Sequence, residues 1–262
     1  DAQRRLDERR QRALSRYYLD AGAGGLAVGV HSTQFAIREQ GLYKPVLELA
    51  MHEAQNWEPL DGRRPLFMIA GLAGSTAQAS AEAATAQALG YHAGLLSLAA
   101  MKDASEDALI AHCRAVAEVM PLVGFYLQPA VGGVHLPASF WGRFAAIDNV
   151  VAIKMAPFNR YRTLDVVRGV VEAGAEERVT LYTGNDDHIV LDLLAPFTVM
   201  REGRPVTVRI RGGLLGHWSV WTRRAVELLD RIHAALDAGQ APASLLALDA
   251  QVTVCNAALF DV

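Results

Sequence analysis

One unit recurs along the chain: a strand-length apolar run followed by an amphipathic helical stretch, with a step of roughly 30 residues. The runs are GGLAVGV (24–30), PLFMIAGL (65–72), HAGLLSL (92–98), PLVGFYLQP (121–129), NVVAIKMA (149–156), RVTLYTG (178–184) and PVTVRIRGG (205–213). Helical patterns such as STAQASAEAATAQALG (75–90), SEDALIAHCRAVAEVM (105–120) and TLDVVRGVVEAGA (163–175) lie between them. Strands that are apolar throughout need cover on both faces, so the alternation predicts an α/β fold with a parallel sheet sheathed in helices. Seven or eight even repeats favour closure into a (β/α)8 TIM barrel over an open doubly wound sheet. The opening DAQRRLDERRQRALSRYYLD reads as an amphipathic helix with no run before it, so the first barrel strand is expected upstream of Asp1, and the end CNAALFDV also reads as cut short. REGRP (201–205) reads as a turn, and extra helices over approximately 217–238 and 241–257 follow the last strand.

With 262 residues, 52% of them hydrophobic, the chain can bury one large core, and a single domain over 1–262 is expected, with 217–262 forming its final helices. A net charge of −3 offers no basic stripe for phosphates, which turns the partner expectation from nucleic acid to a small molecule. Cys113 and Cys255 lack any disulfide or metal-ligand spacing, which fits a reducing compartment such as the cytoplasm. No apolar stretch reaches membrane-spanning length, and the charged start is no secretory signal. The glycines of AGAGG (21–25) and GLAGS (71–75) lack the lysine and the full fingerprint of phosphate-binding loops.

Side chains alternate faces along a strand, so each run divides into two sets. In NVVAIKMA, Val151, Ile153 and Met155 form a bulky set suited to packing under helices, while Val150, Ala152, Lys154 and Ala156 form a small set carrying one amine. With the small set inward, Lys154 projects into the barrel near the carboxyl end of its strand, where enzymes of this fold place catalytic groups. Desolvation there lowers an amine's pKa and frees the neutral nucleophile that Schiff-base chemistry needs. A lysine that snorkels to water at a strand end fits the same pattern. The preceding run divides into Val123, Phe125 and Leu127 against Gly124, Tyr126 and Gln128; the second set inward would give Tyr126 and Lys154 a shared interior. A phenol both donates and accepts, so Tyr126 suits a proton shuttle, and it equally suits a core tyrosine. Gly29-Val30-His31-Ser32-Thr33-Gln34 offers N–H groups and polar side chains to hold a carboxylate, or a helix cap in Ser32 or Thr33. Thr183-Gly184-Asn185-Asp186-Asp187-His188 is a second polar strand end, and its plainer reading is an N-cap; no second cluster gives it metal spacing. His217 and Trp218 follow the last strand, where they line the pocket mouth or begin a helix.

In motif order the chain resembles the dihydrodipicolinate synthase and N-acetylneuraminate lyase family of class I aldolases over nearly its whole length. VAIKMA with Lys154 is similar to the family's Schiff-base strand, GFYLQP with Tyr126 and Pro129 to its tyrosine-bearing strand, and YTGND to its Ser-Gly-Asp-type turn. GVHSTQF stands in place of the Gly-Thr-Thr-Gly-Glu loop that binds the keto-acid carboxylate. The resemblance implies a barrel assembled as a dimer or tetramer, an imine between lysine and pyruvate or a related 2-keto acid, and neither metal nor organic cofactor. It implies Lys154 as nucleophile, Tyr126 as acid/base, and Ser32 with Thr33, beside His31, as carboxylate-binding groups; Gly184, Asn185 and His217 are the further substrate-binding expectations. His31-Ser32 replaces paired threonines, LAAMKDAS replaces the segment with the synthases' tyrosine pair, and AVGG after Pro129 has no arginine. These departures point away from lysine biosynthesis and toward another aldehyde partner or the lyase direction. A sugar-acid dehydratase using the same imine, or a ligand-binding barrel without catalysis, are the alternatives.

Overall fold

A computed structural model describes residues 5–31, 35–57 and 65–260 of the chain. The strands are β1 (Gly25–Val28), β2 (Phe67–Leu72), β3 (Ala93–Leu96), β4 (Leu122–Leu127), β5 (Val150–Ala156), β6 (Thr180–Thr183), β7 (Pro196–Arg201) and β8 (Arg204–Gly213). The helices are α1 (Glu8–Asp20), α2 (Tyr43–Gln55), α3 (Thr76–Ala88), α4 (Glu106–Ala117), α5 (Ala138–Ala145), α6 (Arg160–Glu172), α7 (Ile189–Leu194), α8 (Gly216–Val220), α9 (Thr222–Asp237) and α10 (Ala243–Phe260). All seven apolar runs form strands. They pair in parallel in the order β1-β2-β3-β4-β5-β6-β8, the order of a (β/α)8 barrel. Among the described residues no ladder joins β8 to β1.

β7 was not foreseen by the sequence pattern. It pairs antiparallel with the first half of β8, from Pro196↔Arg209 to Arg201↔Arg204, while β6 pairs only with the second half, from Ile210 to Gly213. The expected turn at 201–205 is the hairpin's connection, a two-residue loop in which Glu202 and Gly203 both have positive φ (51° and 76°), the geometry that matches strand twist. The expected final helices are present as α8, α9 and α10. No described helix is long and apolar enough to cross a membrane.

The core has two layers. An inner cluster inside the curved sheet holds Val30, Ile69, Ala93, Leu95, Val123, Phe125, Leu127, Ala152 and Ala156. A larger outer cluster, between sheet and helices, includes Leu72, Leu96, Leu122, Tyr126, Ile153 and Met155 together with the apolar faces of the helices. The division of β5 is therefore as expected from Ala152 onward. At its start a register irregularity puts Val150 in the outer cluster and leaves Val151 against the inner one. Serine caps open two of the covering helices: Ser75 Oγ accepts from the Gln78 N–H of α3, and Ser105 Oγ from the Ala108 N–H of α4.

β4 faces opposite to the sequence expectation. Val123, Phe125 and Leu127 point inward, and Gly124 and Tyr126 point to α5. The reason lies in α5, whose Phe140, Trp141 and Phe144 form an aromatic wedge with ring centroids 5.2–6.0 Å apart. A Cβ on Gly124 would stand 2.7 Å from the Phe144 ring, so the small residue belongs under the wedge and the bulky set goes inside.

Candidate active site

Lys154 lies two residues before the end of β5. Its register partners are Phe125 on β4 and Tyr182 on β6, and in a parallel sheet residues at one register level share a face. The amine therefore projects into the interior between an aromatic ring and a phenol. Nζ sits 4.5 Å from the centroid of Phe125, close enough for the ring face to favour its charge. Alongside, Gly184 leaves the space the side chain occupies: a Cβ there would be 2.8 Å from Lys154 Cε and 2.9 Å from Ala156 Cβ.

Among the described residues no carboxylate lies within ion-pairing distance of Lys154. Burial lowers its pKa from 10.5 to about 8, with the negative charge of Asp186 opposing the fall. Asp186 shows the converse effect. Burial raises its carboxyl to about 6, against the pull of the His217 N–H and of Lys154. Amine and acid at the carboxyl ends of β5 and β6 are thus both shifted toward neutrality, the kind of perturbation that clusters at functional sites.

The expected site residues separate into those the fold brings to this end and those it does not. His31 follows the first strand run, its ring edge-on to Phe35 at 5.8 Å; burial first and the Lys154 charge second hold its pKa below the ordinary histidine value. Ser32 and Thr33 lie outside the described residues. Gly184 is at the site through its contact with Lys154. Asn185 is next to it in sequence but is structural: its amide N–H2 donates to Asp192 at 3.0 Å, its side-chain oxygen accepts from the Phe158 N–H at 3.0 Å, and only 2% of it is exposed. Substrate binding by its side chain is corrected accordingly. His217 meets the site only through its backbone N–H, 3.5 Å from Asp186, for its ring is buried with Nδ1 2.5 Å from the Asn256 oxygen and an edge contact to Trp221.

Tyr126 is the larger correction. It is 1% exposed, packs on Trp141 at 5.2 Å and accepts the Leu136 N–H with its hydroxyl, all on the helix side of β4. It shares no interior with Lys154. The aromatic residues that do are Phe125 and Tyr182; dividing RVTLYTG into faces sets Tyr182 apart with Thr180 and Gly184, and its register with Lys154 puts that set inside.

A supporting network fixes the strand ends. Asp192, fully buried on α7, accepts from Thr183 Oγ1 at 2.6 Å and from Asn185, and pairs with Arg160 of α6. The Asn256 amide of α10 donates to the Asp186 carbonyl, and Asp249 accepts from the Leu191 N–H at 3.2 Å, so α10 braces the turn that carries Asp186. On the other side, Arg38 donates to the carbonyls of Gly29 (3.2 Å) and Gly71 (2.9 Å) while paired to buried Glu82 at 2.8 Å. That clamp fixes the ends of β1 and β2 beneath His31.

The model of the dihydrodipicolinate synthetase family matches residues 1–196, ending where β7 begins. A 4-hydroxy-tetrahydrodipicolinate synthase of Desulforudis audaxviator is 30% identical over 190 residues, which cover 70% of this chain and 58% of that relative. The match thus spans little more than half the length of the relative. Among solved structures, a dihydrodipicolinate synthase from Acinetobacter baumannii complexed with pyruvate superposes with TM-score 0.75 at 18% identity over 97% of this chain and 78% of the other. YagE, a prophage protein of the same family from E. coli in complex with pyruvate, gives 0.75 at 20% identity over 96% and 76%. At these identities the structures establish the fold, and the match over residues 1–196 establishes kinship: the chain belongs to the dihydrodipicolinate synthetase family.

Proposed function

We propose that this protein is a Schiff-base-forming lyase or aldolase that makes or breaks a carbon–carbon bond next to the carbonyl of a pyruvate-like 2-keto acid, with Lys154 as nucleophile. One observation carries the reading: an amine inside the barrel, at the catalytic end of its strand, with a pKa of about 8. At pH 7 about one such amine in ten is neutral, roughly 300 times the share at the ordinary value of 10.5. The neutral amine attacks the keto carbon, water leaves, and the resulting iminium draws electrons from the neighbouring bond. Kinship with pyruvate-binding structures of the same fold supports the keto-acid class. In this reading His31 and the segment through Ser32 and Thr33 receive the substrate carboxylate, and the barrels assemble as dimers or tetramers, which light scattering tests.

The test of the chemistry is borohydride reduction in the presence of pyruvate and longer 2-keto acids, followed by intact-mass measurement and peptide mapping. A stable adduct on Lys154 that Lys154→Ala abolishes is the expected result. Absence of any adduct across the panel would refute the imine and leave a ligand-binding barrel without catalysis. With the adduct in hand, products decide the reaction: release of pyruvate marks an aldolase, and loss of water without chain cleavage marks a dehydratase.

A further inference from the structure

Imine chemistry at Lys154 needs a group that both gives and takes protons, and Tyr126, turned toward α5, is out of reach. We infer that Tyr182 of β6 is the proton-transfer residue for the imine formed on Lys154. The inference rests on the imine reading above.

Four observations converge on it. Tyr182 is the direct register partner of Lys154, so its ring rises from the same level and the same face of the sheet. It packs against the inner cluster, not the outer one. Its hydroxyl takes no hydrogen bond from described residues and is not sealed from solvent, whereas Tyr43, Tyr91 and Tyr126 all commit their hydroxyls to backbone groups. Its space is provided on the far side by Gly212 of β8, its own register partner, where a Cβ would stand 3.0 Å from Tyr182 Cε1. Burial keeps the phenol protonated at neutral pH, so it begins each cycle as a donor.

The proton balance closes within the pair and one substrate. Lys154 Nζ attacks the keto carbon. The phenol gives its proton to the former carbonyl oxygen and takes one back from nitrogen, leaving a carbinolamine. A second donation from Tyr182 lets that hydroxyl leave as water while the nitrogen lone pair closes the C=N bond. The phenolate then removes a proton from C3 of the keto acid, which yields the enamine and restores the phenol.

Two readouts on the full chain separate this inference from the reading beneath it. One is borohydride trapping of pyruvate on Lys154; the other is exchange of the pyruvate methyl protons in D2O, followed by NMR. Tyr182→Phe is expected to retain the trapped adduct at long incubation and to slow exchange by roughly 10² to 10⁴-fold. Gly212→Ala, which crowds the ring and leaves Lys154 untouched, should slow exchange in the same direction, and Tyr126→Phe should leave it near wild type. Exchange at the wild-type rate in Tyr182→Phe, or its loss in Asp186→Asn alone, overturns Tyr182 as the proton-transfer group while the imine stands. A wild-type protein that neither traps nor exchanges overturns both.

Discussion

Substituting Gly184 by alanine isolates the placement of one amine from everything else in the barrel. The backbone there is not in the left-handed region, so alanine meets no conformational penalty; what it meets is Lys154 Cε at 2.8 Å, Ala156 Cβ at 2.9 Å and the Leu214 carbonyl at 3.3 Å. Ordinary carbon contacts stand at roughly 3.5–4.0 Å. Cε must therefore retreat by about 1 Å, because Ala156 has no torsion with which to yield and the Gly184 N–H is tied to the Met155 carbonyl at 2.6 Å. An overpacked interior of this kind costs about 1–3 kcal/mol, or several degrees in Tm. A misplacement of about 1 Å at a nucleophile costs about 10²-fold in rate. The expected result for Gly184→Ala is a folded protein with a modestly lowered Tm whose initial rate of borohydride-trapped adduct on Lys154 falls about a hundredfold. A variant that traps at the wild-type rate would refute the packing that is held here to aim the amine.

The trapping rate should rise with pH and level off above an apparent pKa near 8, since burial lowers the Lys154 value from 10.5 and only the neutral amine attacks. The sign for stability follows from the same shift: the folded chain holds this proton less tightly than the unfolded one, so the burial penalty is full below about 8 and is relieved as pH climbs to 10.5, which urea titrations of wild type against Lys154→Met will register. Asp192→Ala should cost about 3–5 kcal/mol by chemical denaturation, because it strips a buried carboxylate from Thr183, Asn185 and Arg160. Arg38→Ala, which leaves buried Glu82 unpaired, should cost a similar roughly 3–5 kcal/mol and should also raise the keto-acid concentration needed for half-maximal trapping, through loosening of the β1 and β2 ends. Retention of wild-type concentration dependence would separate that clamp from substrate binding.

The parallel architecture was legible because each of its strands is an unbroken apolar run, and Lys154 was legible because a cation inside such a run has few structural uses. The hairpin strand β7 was not. Only Phe197 is buried along it, Met200 is 61% exposed, and a half-solvated ribbon lacks the continuous apolar signal of its neighbours. The facing of β4 was illegible for a different reason. Alternation defines two sets but not which is inside; that choice was made by the bulk of Trp141 and Phe144 on α5, twelve or more residues downstream of the run it decides. Asn185 and His217 were correctly placed near the strand ends, but sequence position gives no sign that Asp192 and Asn256 have already claimed their side chains.

Because β8 runs parallel to β5 and β6, its first residues lie at the end of the barrel remote from Lys154, and the Glu202–Gly203 turn projects from that end. Ten residues of strand at about 3.3 Å each put roughly 30 Å between the turn and the reactive mouth. The hairpin is thus a natural handle. A peptide tag or surface tether spliced between Glu202 and Gly203 would hold the molecule by its base, with its mouth turned outward to solution.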